Sequence, residues 1–253
     1  GYDSEHHIKY AMQTIAHNCV TVTDPADYYP RAKIDLPNDG GQRRVGSLYT
    51  QSPDDIKDWM KQKEDYEMGD ILVYENTDEY TYTAGVLTNA YNNSKSSTGD
   101  YRHRTKRIDH YTRHFLYLRP DIFVVVDYVD ALDKDFKKRW LLHSINEPII
   151  QDNTVTITRD ENVRHWQSWH PYLRYRSANG KSYRYYGRLF AKTIYPKQSL
   201  ITKIGGEGKE FYIAGKNYDA KHDGKSMSPH PNSGPREAGA WRIEVSPVIE
   251  QRN

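Results

Sequence analysis

The chain has 253 residues, enough for one large domain or two modest ones with a real core. Lys and Arg total 36 against 34 Asp and Glu, a net charge of +2 that gives no broad positive field for nucleic acid. No apolar run approaches the roughly 20 residues of a bilayer-spanning helix, and a single cysteine, Cys19, excludes an internal disulfide framework.

Leu, Ile, Val and Phe together supply 47 of the 253 residues, under the level of about 20% at which disorder becomes an expectation. A net charge this small argues the other way, and 22 tyrosines replace much of the missing apolar area. The chain is therefore expected to fold.

Most of the pattern is short and β-like. Residues 19–23 (CVTVT), 71–74, 80–83, 114–118 and 123–129 are rich in Val, Ile, Tyr and Thr and read as strands. One helix is predicted between the first two of these: Ser52 caps it, Pro53 suits its first position, and Asp54 and Asp55 favour its positive end. Ile56, Trp59, Met60 and Lys63 would share a face, and Gly69 lies beyond the end. The run 123–126 (FVVV) is continuous and apolar, as in a strand buried on both faces. Arg119-Pro120-Asp121 before it suits a hairpin turn. Further strands are predicted at 140–144, 153–158, 189–195, 200–204, 210–214 and 241–245, and a loop at 221–235. The spacing predicts an all-β protein: one domain over 1–253, a large antiparallel β-sandwich with one short helix.

Eleven histidines invite a search for metal, which needs three or four converging ligands. His6 and His7 are adjacent and would point to opposite faces of a strand. His103, His110 and His114 lie among Arg102, Arg104, Arg107 and Arg113, which repel a cation. His17-Asn18 stands between an amphipathic stretch and the strand 19–23, either as a ring held at a sheet edge or as an ordinary polar pair. The segment 91–113 (YNNSKSSTGDYRHRTKRIDHYTR) suits a sulfated or carboxylated polymer, since Arg grips such groups bidentately and Tyr stacks on sugar faces; it equally suits a solvated face. The cluster Trp166, Trp169, His170, Tyr172, Tyr175 and Tyr183 to Tyr186 is open to the same pair of readings, a saccharide groove or an aromatic core edge. No serine elbow, phosphate-cradling loop or dinucleotide fingerprint is present; Gly205-Gly206-Glu207-Gly208 stands between two predicted strands rather than before a helix.

Several phrases taken in order resemble the heparinase II/III-like polysaccharide lyases: 10–25 (YAMQTIAHNCVTVTDP), 38–43 (NDGGQR), 83–91 (TAGVLTNAY), 114–130 (HFLYLRPDIFVVVDYVD), 140–143 (WLLH), 187–196 (GRLFAKTIYP), 204–217 (IGGEGKEFYIAGKN) and 240–247 (AWRIEVSP). TIAHN followed by a strand and Asp-Pro is the most specific. The resemblance implies an antiparallel sandwich that normally follows a helical toroid, and cleavage of uronate polysaccharides, heparin and heparan sulfate among them, by β-elimination. It implies a structural zinc for which His17 would be one ligand. Asn18, Tyr91, Lys95, Arg102, Arg107 and Arg113 are the candidate substrate contacts; the resemblance adds a toroid as partner and a periplasmic or secreted location. The family's H-x-H strand and the toroid's tyrosine and histidine have no counterpart here. The chain is accordingly expected to be a C-terminal portion, with an incomplete zinc site and no elimination activity by itself; Asp24 and Asp27 would complete the site only if a turn returned them to His17. A non-catalytic module that binds acidic polysaccharide is the alternative reading.

Overall fold

The computed structural model describes residues 5–27, 30–31, 34–42, 53–61, 63, 67–92, 106–164, 182–218, 221–222, 225–226 and 241–249. The fold is all-β. Its strands of three or more residues are β1 (Val20–Thr23), β2 (Asp70–Asn76), β3 (Tyr80–Val86), β4 (Ile108–Leu118), β5 (Ile122–Ala131), β6 (Lys137–Ser144), β7 (Ile149–Gln151), β8 (Thr154–Arg164), β9 (Ser182–Lys192), β10 (Ser199–Gly205) and β11 (Trp241–Pro247). Short helices cover α1 (Ile56–Lys61) and α2 (Thr88–Asn92), with a π-helical turn at His7–Ala11 and a 3-10 turn at Thr14–Ala16. Where the sequence predicts one domain, the chain divides into two compact units: residues 1–12, 16–18 and 140–248 form the first, and 13–15, 19–139 and 249–253 the second.

In the first unit, β9, β8 and β7 are antiparallel neighbours in that order, and so are β6, β11 and β10. Alternation along each strand sends one set of side chains into a shared core. Val155 and Ile157 of β8, Ile150 of β7 and Ala191 of β9 pack with Ile243 and Val245 of β11, Trp140 and Leu142 of β6, and Ile201 of β10. Each fully buried aliphatic side chain among them contributes about 1.5–3 kcal/mol. Trp241 also explains a glycine: a Cβ on Gly206, whose φ is +78°, would stand 3.1 Å from the indole. The opposite face of β11 is polar. Arg242 Nε and Nη2 both reach Glu244 Oε1 at 2.9 Å, and Nη1 donates to the carbonyl of Tyr212 at 2.9 Å.

In the second unit, β2, β3, β4 and β5 form an antiparallel meander, and residues 119–121 make the expected hairpin turn. Its two ends differ. Ala84, Ile108, Tyr111 and Ala131 are buried, whereas Ile71, Tyr74, Ile122 and Phe123 are exposed. The run 123–126, expected to be buried on both faces, is on the edge strand β5, and Val126 is 53% exposed. Residues 53–61 hold another correction. Asp55 Oδ1 accepts the amide of Asp58 at 2.8 Å, so Asp55 caps α1; Ser52 lies outside the described residues. The face of α1 expected to pack carries Ile56 and Met60, both exposed.

The buried end of this unit is organised by polar groups. Arg107 has no exposed surface. Its guanidinium donates to the carbonyls of Val22 at 2.8 Å, of Tyr91 at 3.1 Å, and of Gly41, while Nε sits 3.6 Å from Asp27 Oδ2. Asp39 is buried as well and accepts the amides of Gly41 at 2.7 Å and Ile15 at 3.0 Å. Gly40 between them has φ +71°, and a Cβ there would meet Thr23 Oγ1 at 2.5 Å and its backbone nitrogen at 2.8 Å. Only glycine fits that approach. Desolvation pushes the Asp39 carboxyl above the ordinary carboxylate range, against the pull of the two amides and of Arg107.

Two outcomes are expected. Arg107→Ala takes the buried guanidinium from beside Asp27 and leaves the carbonyls of Val22, Gly41 and Tyr91 without this donor, and lowers unfolding free energy by about 3–5 kcal/mol, measured by urea titration. Because the folded state holds the Asp39 proton more tightly than the unfolded chain, its penalty is absent below the unfolded value of about 3.9 and grows as pH rises towards the raised folded value. Asp39→Asn removes that dependence, so its stability relative to the parent should improve as pH rises above about 4; parallel stability–pH curves would refute this.

Candidate functional site

The phrase AHN emerges from the 3-10 turn Thr14–Ala16, leaving His17 and Asn18 exposed just before β1. Asn18 Oδ1 accepts the backbone N–H of His143 at 2.9 Å and lies 3.1 Å from His143 Nδ1. The backbone donor fixes the amide orientation, since an NH2 group cannot face an N–H. The same oxygen then meets Nδ1, so Nδ1 carries the proton in the neutral ring and the lone pair is on Nε2. The Asn18 contact thus orients the His143 imidazole and makes Nε2 its acceptor side.

Behind it, the antiparallel register pairs His143 with Arg242, which places the two on one face of the sheet. Arg242 Nη1 reaches the Tyr10 hydroxyl at 3.4 Å, and the Tyr10 ring meets Phe211 edge-on at 5.5 Å. Burial raises the Tyr10 phenol, with Arg242 acting in the opposite direction. His6 Nδ1 lies 2.7 Å from the carbonyl of Tyr218, and its ring is 4.4 Å from Phe211. His6 and His7 stand at the start of a π-helical turn and not in a strand.

Of the basic segment 91–113, residues 91–92 and 106–113 are described, and three candidate contacts there have partners within the protein. Tyr91 is fully buried and donates its hydroxyl to the carbonyl of Val20. Arg107 is buried as described. Arg113 binds Asp127 bidentately, Nε to Oδ1 at 2.7 Å and Nη2 to Oδ2 at 2.9 Å, and Tyr111 adds its hydroxyl to Oδ1 at 2.8 Å. Desolvation opposes the Arg113 charge, but the Asp127 carboxylate outweighs it and raises the guanidinium. Tyr91 and Arg107 are therefore framework groups with no surface to offer a sugar, and Arg113 is a part-exposed group held by Asp127. In a chain so short of leucine, tyrosine and arginine stems fill the core. Lys95, Arg102, His103 and the aromatic cluster at 166–175 lie outside the described residues. Elsewhere, His114 Nδ1 is 2.8 Å from the Tyr82 hydroxyl, and His110 is exposed beside Tyr128. Burial pushes the Cys19 thiol up, which makes it a poor nucleophile.

The zinc implied by the resemblance does not fit these residues. Among the described residues no three or more His, Cys, Asp or Glu side chains gather as a metal would require. His17 is exposed, Asp24 Oδ1 accepts the amide of Ala26 at 2.8 Å, and Asp27 faces Arg107. The residue that sequence reasoning missed is His143, visible only as the end of WLLH.

Nitrogen-15 shifts should show His143 as the Nδ1–H tautomer, and Asn18→Ala should return it to the mixture of a solvated imidazole; an unchanged spectrum in the variant would dismiss the Asn18 contact. No protein-family model matches this chain, and no curated protein matches it either.

Proposed function

We propose that the chain is the β-sandwich part of a polysaccharide lyase of the heparinase II/III-like type, acting on uronate polysaccharides of the heparin and heparan sulfate kind. One observation carries the reading beyond the phrases themselves. TIAHN and WLLH, two phrases of the resemblance that are 125 residues apart, meet through Asn18 and His143. The all-β, antiparallel fold also supports it, and no helix among the described residues is long and apolar enough to cross a membrane.

In β-elimination a base takes the proton beside the uronate carboxylate. The carboxylate charge is neutralised, the bond to the leaving glycosidic oxygen breaks as the double bond forms, and an acid protonates that oxygen. On this reading the sandwich orients the polymer and presents the His143 and Asn18 corner, while the principal base and acid belong to the toroid and to a strand without counterpart here. The buried tyrosines among the described residues, Tyr10, Tyr91 and Tyr111, have phenols raised by burial and are unsuited to give up a proton.

Ultraviolet detection of the unsaturated uronate tests the reading. With heparin, heparan sulfate, chondroitin sulfate, alginate and ulvan, the 253-residue chain is expected to give no product, and product is expected once a helical toroid precedes it in the same polypeptide. Product from the chain alone would refute the placement of base and acid outside it. Binding without product in both forms would favour the non-catalytic module.

A further inference from the structure

Strand β9 carries a row that the core does not explain. Positions 184, 186, 188, 190 and 192 are Arg, Tyr, Arg, Phe and Lys, and alternate residues of a strand share a face. Ala191 points the other way, into the core of the first unit. The row therefore faces solvent, with Tyr186 69% and Phe190 63% exposed.

Its members are arranged in pairs. Arg184 Nε and Nη2 bond the two oxygens of Asp160, each at 2.8 Å, and its guanidinium carbon is 5.9 Å from the Tyr186 ring centre. Arg188 repeats the pattern at 5.9 Å from the Phe190 ring. Among the described residues no carboxylate pairs with Arg188 or Lys192. The partners of Arg188, Phe190 and Lys192 across the register are Thr158, Thr156 and Thr154 of β8, so hydroxyls flank the row. β9 is an edge strand of its sheet, and cations on an edge deter pairing with other chains. Two large exposed rings do nothing for that purpose; they are a cost in water unless something covers them.

We propose that this row is a binding strip for an acidic polysaccharide. The Tyr186 and Phe190 rings stack on sugar faces, and Arg188 and Lys192 take carboxylate or sulfate groups, Arg188 bidentately. Rings that alternate with cations along one face suit a polymer that offers sugar faces between its acidic groups. The choice of polymer rests on the lyase reading above; the row itself does not.

The test titrates the chain calorimetrically with a heparin oligosaccharide and with single-stranded DNA of equal charge. Arg188→Ala and Phe190→Ala are compared with Lys134→Ala, a charge control in the turn after β5. Each strip variant is expected to weaken heparin binding about tenfold, the worth of one charge-assisted contact, with Lys134→Ala unchanged. Added salt should weaken Phe190→Ala as steeply as the parent and Arg188→Ala less steeply. Parent-like heparin affinity in both strip variants would overturn the strip while leaving the lyase reading standing. Tighter binding of DNA, lost in both variants, would overturn the choice of polymer. Failure of the parent to bind heparin would overturn the strip, and the elimination assay would then judge the lyase reading separately.

Discussion

A guanidinium with no access to water holds the second unit in register. Arg107 draws together three stretches distant in sequence, β1 through Val22, the 38–42 turn through Gly41 and α2 through Tyr91, with Asp27 supplying the counter-charge. Taking such a charge out of water costs several kcal/mol, about what well-placed carbonyls and one carboxylate return. The gain is therefore in geometry more than in energy. It dictates glycine at position 40, where the backbone passes against Thr23, and seats α2 so that Tyr91 meets Tyr111 edge-on at 5.3 Å. The first unit is built otherwise, by aliphatic side chains interleaved between two sheets, with a polar cluster around Arg242 kept on the far face of β11.

The strands were legible because β-branched and aromatic residues at period two leave a strong local imprint. Residues 140–144, 200–204 and 241–245 became β6, β10 and β11 with little change at their ends. What periodicity does not encode is which face is covered, and by what. FVVV carries the composition of a central strand yet ends at an edge. The helix around 56–61 shows a proper apolar spacing and presents it to water. Asp55 and Ser52 are equally good caps by residue type, and only the position of the first turn distinguishes them. Arg107 and Arg113 look like surface cations in a charge run because sequence shows their charge and not the carbonyls and carboxylates waiting for them.

The candidate site was half legible. Asn18 and His143 each stood in a quoted phrase, but their contact depends on a separation of 125 residues that no local pattern reveals. The β9 row is plain in the sequence as alternating cation and ring, once the strand is known to start at Ser182 rather than Leu189. Both surfaces are in the first unit, and they differ in kind. One is an oriented imidazole whose tautomer is set by an amide; the other is a solvent-facing ladder of rings and cations.

Strand β5 has a consequence for the molecule in company. Along its outer side, among the described residues, no strand takes up the amides and carbonyls of the Val-rich run, so that side offers a ready template to any extended peptide, a neighbour's β5 included. Long-range repulsion to keep copies apart is slight at a net charge of +2. Protein concentration should therefore bear directly on how long this protein stays dispersed.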